Sequence, residues 1–272
     1  MALKPTNILR SPWMYEMKPF HIVDNLYYVG DKKVSSHLFD TGEGLLILDT
    51  GFPNCEYLLL EAIRDLGFDP HDVRWILHSH GHYDHFGATR AMVEKYGCKT
   101  YLPEADLPLM TTQSQLNYCV SAGLCYEPPY DNFFETDVPV KPGDVLTFGN
   151  TKVEVFDASG HTPGTVCYRF TLPGGLKAAM HGGIGRNTLA SSYAKKYDLG
   201  TAWREAYAAS LKRLKGLEVD VVLGNHPYQT RTFEKLENTT KEHNAFVDPT
   251  EWDRFLEDTE EKLLEFLKED PM

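Results

Sequence analysis

Thiols are few in this chain of 272 residues, and their arrangement suits neither of the jobs cysteines do in numbers. Cys55, Cys98, Cys119, Cys125 and Cys167 are odd in count and never stand at C-x-x-C spacing. That excludes a disulfide framework and a thiolate metal site, and leaves buried, inert thiols as the expectation. No run approaches the roughly 18 apolar residues needed to span a bilayer. The opening MALKPTNILRSPWMYEMKPF has no apolar stretch ahead of a small-residue cleavage site, so the chain reads as cytoplasmic, or as exported only if a leader has been removed. Basic residues are also in deficit. With 27 Lys plus Arg against 39 Asp plus Glu, the formal charge is −12, which repels phosphate backbones and argues against a nucleic-acid partner. Low-complexity runs and short repeats are absent too. What remains is a protein that acts on a small molecule, with no membrane partner.

The hydrophobic share of 42% and aromatic share of 12% are ample for one large α/β domain. HIVDNLYYVG, VSSHLF and GLLILDTG, within 21–51, read as strands. A helical pattern on Tyr57, Leu58, Leu60, Ile63 and Leu66 closes at Gly67. VRWILHS (73–79) is a strand, and ATRAMVEKYG from 88 a helix. Residues 111–136 lose the rhythm, with Pro128-Pro129 and many aromatics, and form an excursion that serves as a lid or as decoration. Strand patterns resume in VLTFG, TKVEVFDA, TVCYRFTL and LKAAMHGG. A helix on Trp203, Tyr207, Leu211 and Leu214 then leads to a buried strand, VDVVLG. The domain 1–272 thus divides into two halves of similar element order, about 20–136 and 137–247, followed by a terminal helix at 248–269. For that helix we expect a capping box with Asp248 as N-cap, Pro249 first in the helix and Glu251 reaching back. Its apolar face is Trp252, Phe255, Leu256, Leu263, Leu264 and Phe266.

The densest chemistry lies in HSHGHYDH, residues 78–85. Imidazole is a neutral, borderline-soft donor that suits zinc, and carboxylate oxygen completes such sites. His80, His82, Asp84 and His85 form H-x-H-x-D-H, a pattern that chance would produce in such a chain on the order of once in a thousand. The cluster follows a strand and precedes a helix, the position at which α/β sites are built. Four imidazoles this close would repel one another if protonated, and a metal is the natural reason to keep them neutral. His161 in SGHTPG and His226 in GNHPYQ sit in similar loops just past strands, and they join the candidate ligands. His21, His37, His71, His78, His181 and His243 read as structural or surface residues, with His181 the nearest to a supporting role.

On these residues, LLILDTG with Asp49, HSHGHYDHFG, SGHTPG and GNHPYQ, the chain resembles the metallo-β-lactamase superfamily from about residue 20 onwards. The resemblance implies a four-layer αβ/βα sandwich, two β-sheets face to face with helices outside and metals at one edge. It also implies that Asp49 supports the metal loop from behind. Many hydrolases of this fold carry an aspartate that bridges two metals, yet HGGIGRN (181–187) offers no carboxylate or cysteine at the expected place. That absence is similar to the third subclass of metallo-β-lactamases, whose two zinc sites would here be His80, His82, His161 and Asp84, His85, His226. The family mechanism uses a water between the two ions, whose pKa would be lowered from about 15.7 towards 7 to give a hydroxide nucleophile. Asp84, which would orient that hydroxide, and His82 are then the candidate catalytic residues. Arg186, Asn187 and Asn225 could hold a substrate carboxylate, and Tyr228 could donate to an oxyanion.

The leading expectation is a dinuclear zinc hydrolase that opens a β-lactam-like cyclic amide. Hydrolysis of a thioester or lactone on the same site is the alternative, as in glyoxalase II or the lactonases. Iron oxygen chemistry, found in this superfamily among persulfide dioxygenases and flavodiiron proteins, and a metal-binding protein without turnover are weaker readings.

Overall fold

A computed structural model describes residues 8–117 and 133–272. The middle of the excursion, with Cys119 and Cys125, lies outside the described residues. Cys55, Cys98 and Cys167 are buried free thiols, as their isolation in the sequence implied.

Twelve strands form two sheets among the described residues. The first runs in spatial and chain order through β1 (Phe20–Val23), β2 (Leu26–Tyr28), β3 (His37–Asp40), β4 (Leu45–Leu48), β5 (Val73–Leu77), β6 (Lys99–Pro103) and β7 (Val138–Val140). Its first four strands are antiparallel and its last four pairwise parallel. Parallel neighbours need crossovers. Helix α1 (Glu56–Asp65) carries β4 to β5. The short α2 (Tyr83–Phe86) and α3 (Thr89–Tyr96) carry β5 to β6, and α4 (Leu107–Met110) follows β6. The second sheet comprises β8 (Val145–Phe148), β9 (Thr151–Asp157), β10 (Val166–Thr171), β11 (Lys177–His181) and β12 (Val221–Gly224), in the order β12-β11-β10-β9-β8. Only the β11–β12 pair is parallel. Helices α5 (Ser191–Tyr197) and α6 (Ala202–Leu214) make that crossover, and α7 (Thr232–Asn238) and α8 (Glu251–Glu269) complete the chain.

The layers follow from which faces are apolar. Leu46, Leu48 and Phe39 of the first sheet meet Val153, Tyr168, Phe170 and Met180 of the second in one buried cluster. The alternate residues Leu38, Leu45 and Ile47 face outward onto Leu59, Ile63 and Met92 of α1 and α3. Cys167, Ala179 and Val222 face outward onto Leu211 of α6 and Trp252 and Leu256 of α8. Strand alternation thus supplies both faces of each sheet, and the outcome is the expected four-layer sandwich. No helix among the described residues is long and apolar enough to cross a membrane.

Local readings needed correction where a tertiary partner intervened. HIVDNLYYVG is not one strand. It turns at Asp24, whose φ is +53°, and pairs with itself as β1 and β2. The three-residue β7 carries Pro139 and gives no alternation to read, and although it begins at 138 it still belongs to the first sheet. The capping box does not form as expected. Helix α8 starts at Glu251, and the Asp248 carboxylate accepts instead from the N–H and hydroxyl of Thr250. Glu251 turns inward because a buried cation claims it: Lys235 Nζ of α7 lies 2.6 Å from its carboxylate and 3.2 Å from the Val222 carbonyl. Leu264, assigned to the apolar face, is 54% exposed.

Burial pushes the Lys235 ammonium down and the Glu251 carboxyl up, and their mutual attraction opposes both shifts. Such a pair is costly to break on one side because the survivor stays buried and uncompensated. Glu251→Gln should therefore destabilise the fold by about 3–5 kcal/mol, measured by urea denaturation, while a double change to matched apolar side chains should recover most of that. A loss under about 1 kcal/mol would show that the pair is effectively solvated.

Candidate metal centre

The HSHGHYDH loop is held in place by a carboxylate from the neighbouring strand. Asp49 follows β4 in a left-handed conformation, φ +58°, which an aspartate tolerates better than most residues. Its side chain is fully buried and accepts from the Ser79 N–H (2.8 Å), the Ser79 hydroxyl (2.7 Å) and His85 Nδ1 (2.9 Å). Three donors satisfy a charge that would otherwise be expensive to bury. The same segment is tied again where the Thr50 N–H donates to the His85 carbonyl at 2.8 Å. Helix α2 starts just after His82, which places Asp84 and His85 on its first turn.

The expected six ligands meet as two groups. His80, His82 and His161 form one, and Asp84, His85 and His226 the other, with potential ligand atoms within 4.8 Å of one another in each. Ring centres of His80 lie 4.6 Å from His82, 4.4 Å from His85 and 4.9 Å from His161. His85 and His226 are 5.1 Å apart. Asp84 Oδ2 is 3.6 Å from His85 Nε2 and 3.7 Å from His226 Nε2.

The tautomers decide whether these donors suit a metal. His161 Nδ1 lies 2.8 Å from the Gly185 carbonyl and His226 Nδ1 lies 2.7 Å from the Lys33 carbonyl. A carbonyl only accepts, so both Nδ1 atoms carry the proton and both Nε2 atoms keep a lone pair. Asp49 fixes His85 in the same way. The Ser79 hydroxyl spends its one proton on Asp49, so at 3.0 Å it accepts from His80 Nδ1. His80 Nε2 is then left with its lone pair 3.0 Å from His82 Nδ1, an approach that only a shared proton or a shared cation satisfies. Orienting partners on the far nitrogen are what ligating imidazoles have. Donors about 2.1 Å from one tetrahedral zinc stand roughly 3.4 Å apart, close to the spacings around Asp84. The donor set therefore fits two borderline ions.

Electrostatics agree. Burial first, then the neighbouring imidazoles, hold His80 and His82 well below the usual histidine range. Burial lowers His161 to about 4 and also lowers His226. For His85 burial acts downward as well, but the Asp84 and Asp49 carboxylates outweigh it and leave the pKa raised.

A cleft of about 220 Å³ opens onto both groups. Its wall includes His82, Asp84, His161 and His226 together with Asn187, Asn225, Tyr228 and Gln229. Tyr228 stands at the rim, 73% exposed, with its ring 5.5 Å from His226. Asn225 is buried, and its amide donates to the Gly182 carbonyl at 2.5 Å. Arg186 lies outside this cleft, in an adjoining recess. His181 is buried behind the site and belongs to neither group. His78 is engaged by the Tyr101 carbonyl and the Thr89 hydroxyl, and His37 is buried. His21, His71 and His243 are exposed. At Gly183 a β-carbon would stand 2.4 Å from the His161 ring, so the carboxylate-free stretch is shaped by the imidazole that lies against it.

One residue escaped the sequence reading. Asp106, fully buried just past β6, accepts from the Gly81 N–H (2.7 Å), the Thr162 hydroxyl (2.6 Å) and the Gly164 N–H (2.6 Å). It thereby clamps the loop of His80 and His82 to the loop of His161, across the two sheets. Burial raises its pKa to about 6, against the pull of those donors. A β-carbon on Gly164 would lie 2.6 Å from its carboxyl carbon, so close approach requires glycine there. The segment PEAD carries no spacing that marks this aspartate as different from any surface acid.

Comparison with known proteins agrees with this geometry. The family model described as metallo-beta-lactamase superfamily matches residues 29–226; the chain belongs to that superfamily and has its fold. BJP-1 of Bradyrhizobium japonicum, a subclass B3 metallo-β-lactamase, superposes with a TM-score of 0.81 at 25% identity, over 94% of this chain and 96% of that one. A variant of the FEZ-1 metallo-β-lactamase of Legionella gormanii gives 0.83 at 25% identity, over 94% and 97%. Among curated proteins, an N-acyl homoserine lactonase of a Bacillus species is 24% identical over 49% of this chain and 56% of its own length. A hydroxyacylglutathione hydrolase of Pelagibacter ubique is 26% identical over 36% and 31%. The chain thus spans about half or less of these two curated relatives.

Because Asp106 touches no candidate ligand and only holds their loops, its loss should appear in metal affinity. Asp106→Ala should weaken zinc binding about 10- to 100-fold in a competitive chelator titration, with Asp106→Asn in between. Affinity unchanged in a folded Asp106→Ala protein would remove the clamp from the account.

Proposed function

We propose that this protein is a dinuclear zinc hydrolase that opens a β-lactam-like cyclic amide. The observation that carries the reading is the pair of donor groups facing one cleft, three residues each, with no carboxylate shared between them. Three protein donors leave a tetrahedral zinc an open position, which marks catalytic sites. Zinc held there would supply Lewis acidity towards a carbonyl and a water made nucleophilic near neutral pH.

The protein's own groups have distinct tasks. Asp84, half-buried beside His85 and His226, is placed to accept a proton from the attacking water and to orient it. His82 and His161 line the cleft opposite and fix where the carbonyl can lie. The Tyr228 hydroxyl at the rim can donate to the oxygen that gains charge. Asn187, exposed on the cleft wall, can donate to a substrate carboxylate, and Asn225 shapes the floor. The B3 enzymes among the structural neighbours support the cyclic amide.

The relatives named N-acyl homoserine lactonase and hydroxyacylglutathione hydrolase support a second reading, ester or thioester cleavage by the same residues. A chromogenic cephalosporin, an N-acyl homoserine lactone and S-lactoylglutathione, assayed on zinc-replete protein, separate the two. We expect the highest kcat/KM on the cephalosporin and a loss of at least about 100-fold in His82→Ala. A lactone or thioester ranked first would put the second reading in place of the first, and full turnover by His82→Ala would overturn both.

A further inference from the structure

A recess of about 570 Å³ adjoins the metal cleft and shares Gly185, Asn187, Tyr228 and Gln229 with it. Its far wall comes from helix α8, through Lys262 and Phe266. These stand four residues apart and so share a helix face. Arg186, on the loop after β11, closes the near side. Other basic side chains among the described residues make ion pairs, Arg169, Arg204 and Lys235 for example. Arg186 and Lys262 make none among the described residues, although acidic groups outnumber basic ones in the sequence. Two cations without carboxylate partners thus converge on one recess from different elements. The ring of Phe266 adds apolar surface to the same recess, and Asn187 and Tyr228 continue its wall into the metal cleft.

We propose that this recess binds a distal arm of the substrate that ends in a carboxylate, held between Arg186 and Lys262. The inference rests on the hydrolase reading and adds the substrate's second end. The reactive carbonyl occupies the cleft, an apolar segment lies on Phe266, and the terminal anion reaches the two cations. Arg186 offers a planar fork of donors and Lys262 a point charge, so both contribute to selection without touching the scissile bond.

The test uses zinc-loaded full-length protein and a matched pair within the substrate class it hydrolyses fastest, the side arm ending in a carboxylate or in the isosteric carboxamide. The carboxylate member should have the higher kcat/KM, with the difference in KM. Each of Arg186→Gln and Lys262→Gln should reduce that preference about fivefold, and the double variant on the order of 25-fold. Lys262 is exposed on α8, so Lys262→Glu should fold, and it should shift preference towards an arm ending in an ammonium group. Equal kcat/KM for the pair, or a preference that Lys262→Gln and Lys262→Glu leave unmoved, overturns this inference while the hydrolase reading stands. Failure to hydrolyse any of the three substrate classes overturns the hydrolase reading and takes this inference with it.

Discussion

The structure depends on five imidazoles crowded around one cleft, four of them pushed towards the neutral form by burial while carboxylates raise the pKa of His85. His80, His82, His85, His161 and His226 come from three separate loops, and nothing in a water-excluding interior would hold them together unaided. Mutual repulsion when protonated and the cost of burying charge drive His80, His82, His161 and His226 neutral, and neutral imidazoles presenting lone pairs to one another suit a cation. The surrounding structure prepares that arrangement in advance. Carbonyls of Lys33 and Gly185 and the carboxylate of Asp49 each take the proton on the far nitrogen, so the ring orientations are set by the fold.

Two buried carboxylates divide the support. Asp49 fixes the HSHGHYDH loop to the strand beside it within the first sheet. Asp106 reaches from the first sheet to the loop that carries His161, between two strands of the second. The sandwich architecture explains why both are needed. Each sheet brings its loops to the same edge, but the sheets touch mainly through apolar side chains such as Phe39 and Phe170, whose rings stack 4.4 Å apart. Such packing fixes distance better than it fixes the rotation of a loop. Directional hydrogen bonds to a shared carboxylate supply the missing specification.

Much of this was legible in the sequence, for physical reasons that differ between parts. The alternation of helix and strand signals and the buried run GLLILDTG marked an α/β domain, because strands buried on both faces read as continuous apolar runs, while the four-layer sandwich was implied by the resemblance to the metallo-β-lactamase superfamily. The candidate ligands were legible because metal chemistry restricts residue types so narrowly: H-x-H-x-D-H has few other uses. Asp106 was not legible, since a buried carboxylate is distinguished by what surrounds it and those donors lie 25 to 58 residues away. The inward turn of Glu251 escaped for the same reason. Its local context favours a capping box, and only the folded chain brings Lys235 beneath it. The proposed substrate contacts fall between these cases. Arg186 and Asn187 are adjacent in sequence, yet the recess that separates the role of one from the other needs helix α8 to define it.

The central claim is that these imidazoles and Asp84 hold two zinc ions side by side. Anomalous diffraction across the zinc absorption edge, on crystals of protein purified without added chelator, tests it most directly. The account predicts two peaks per chain, one among His80, His82 and His161 and one among Asp84, His85 and His226. A single peak, or scattering that appears at the iron edge instead, would contradict it.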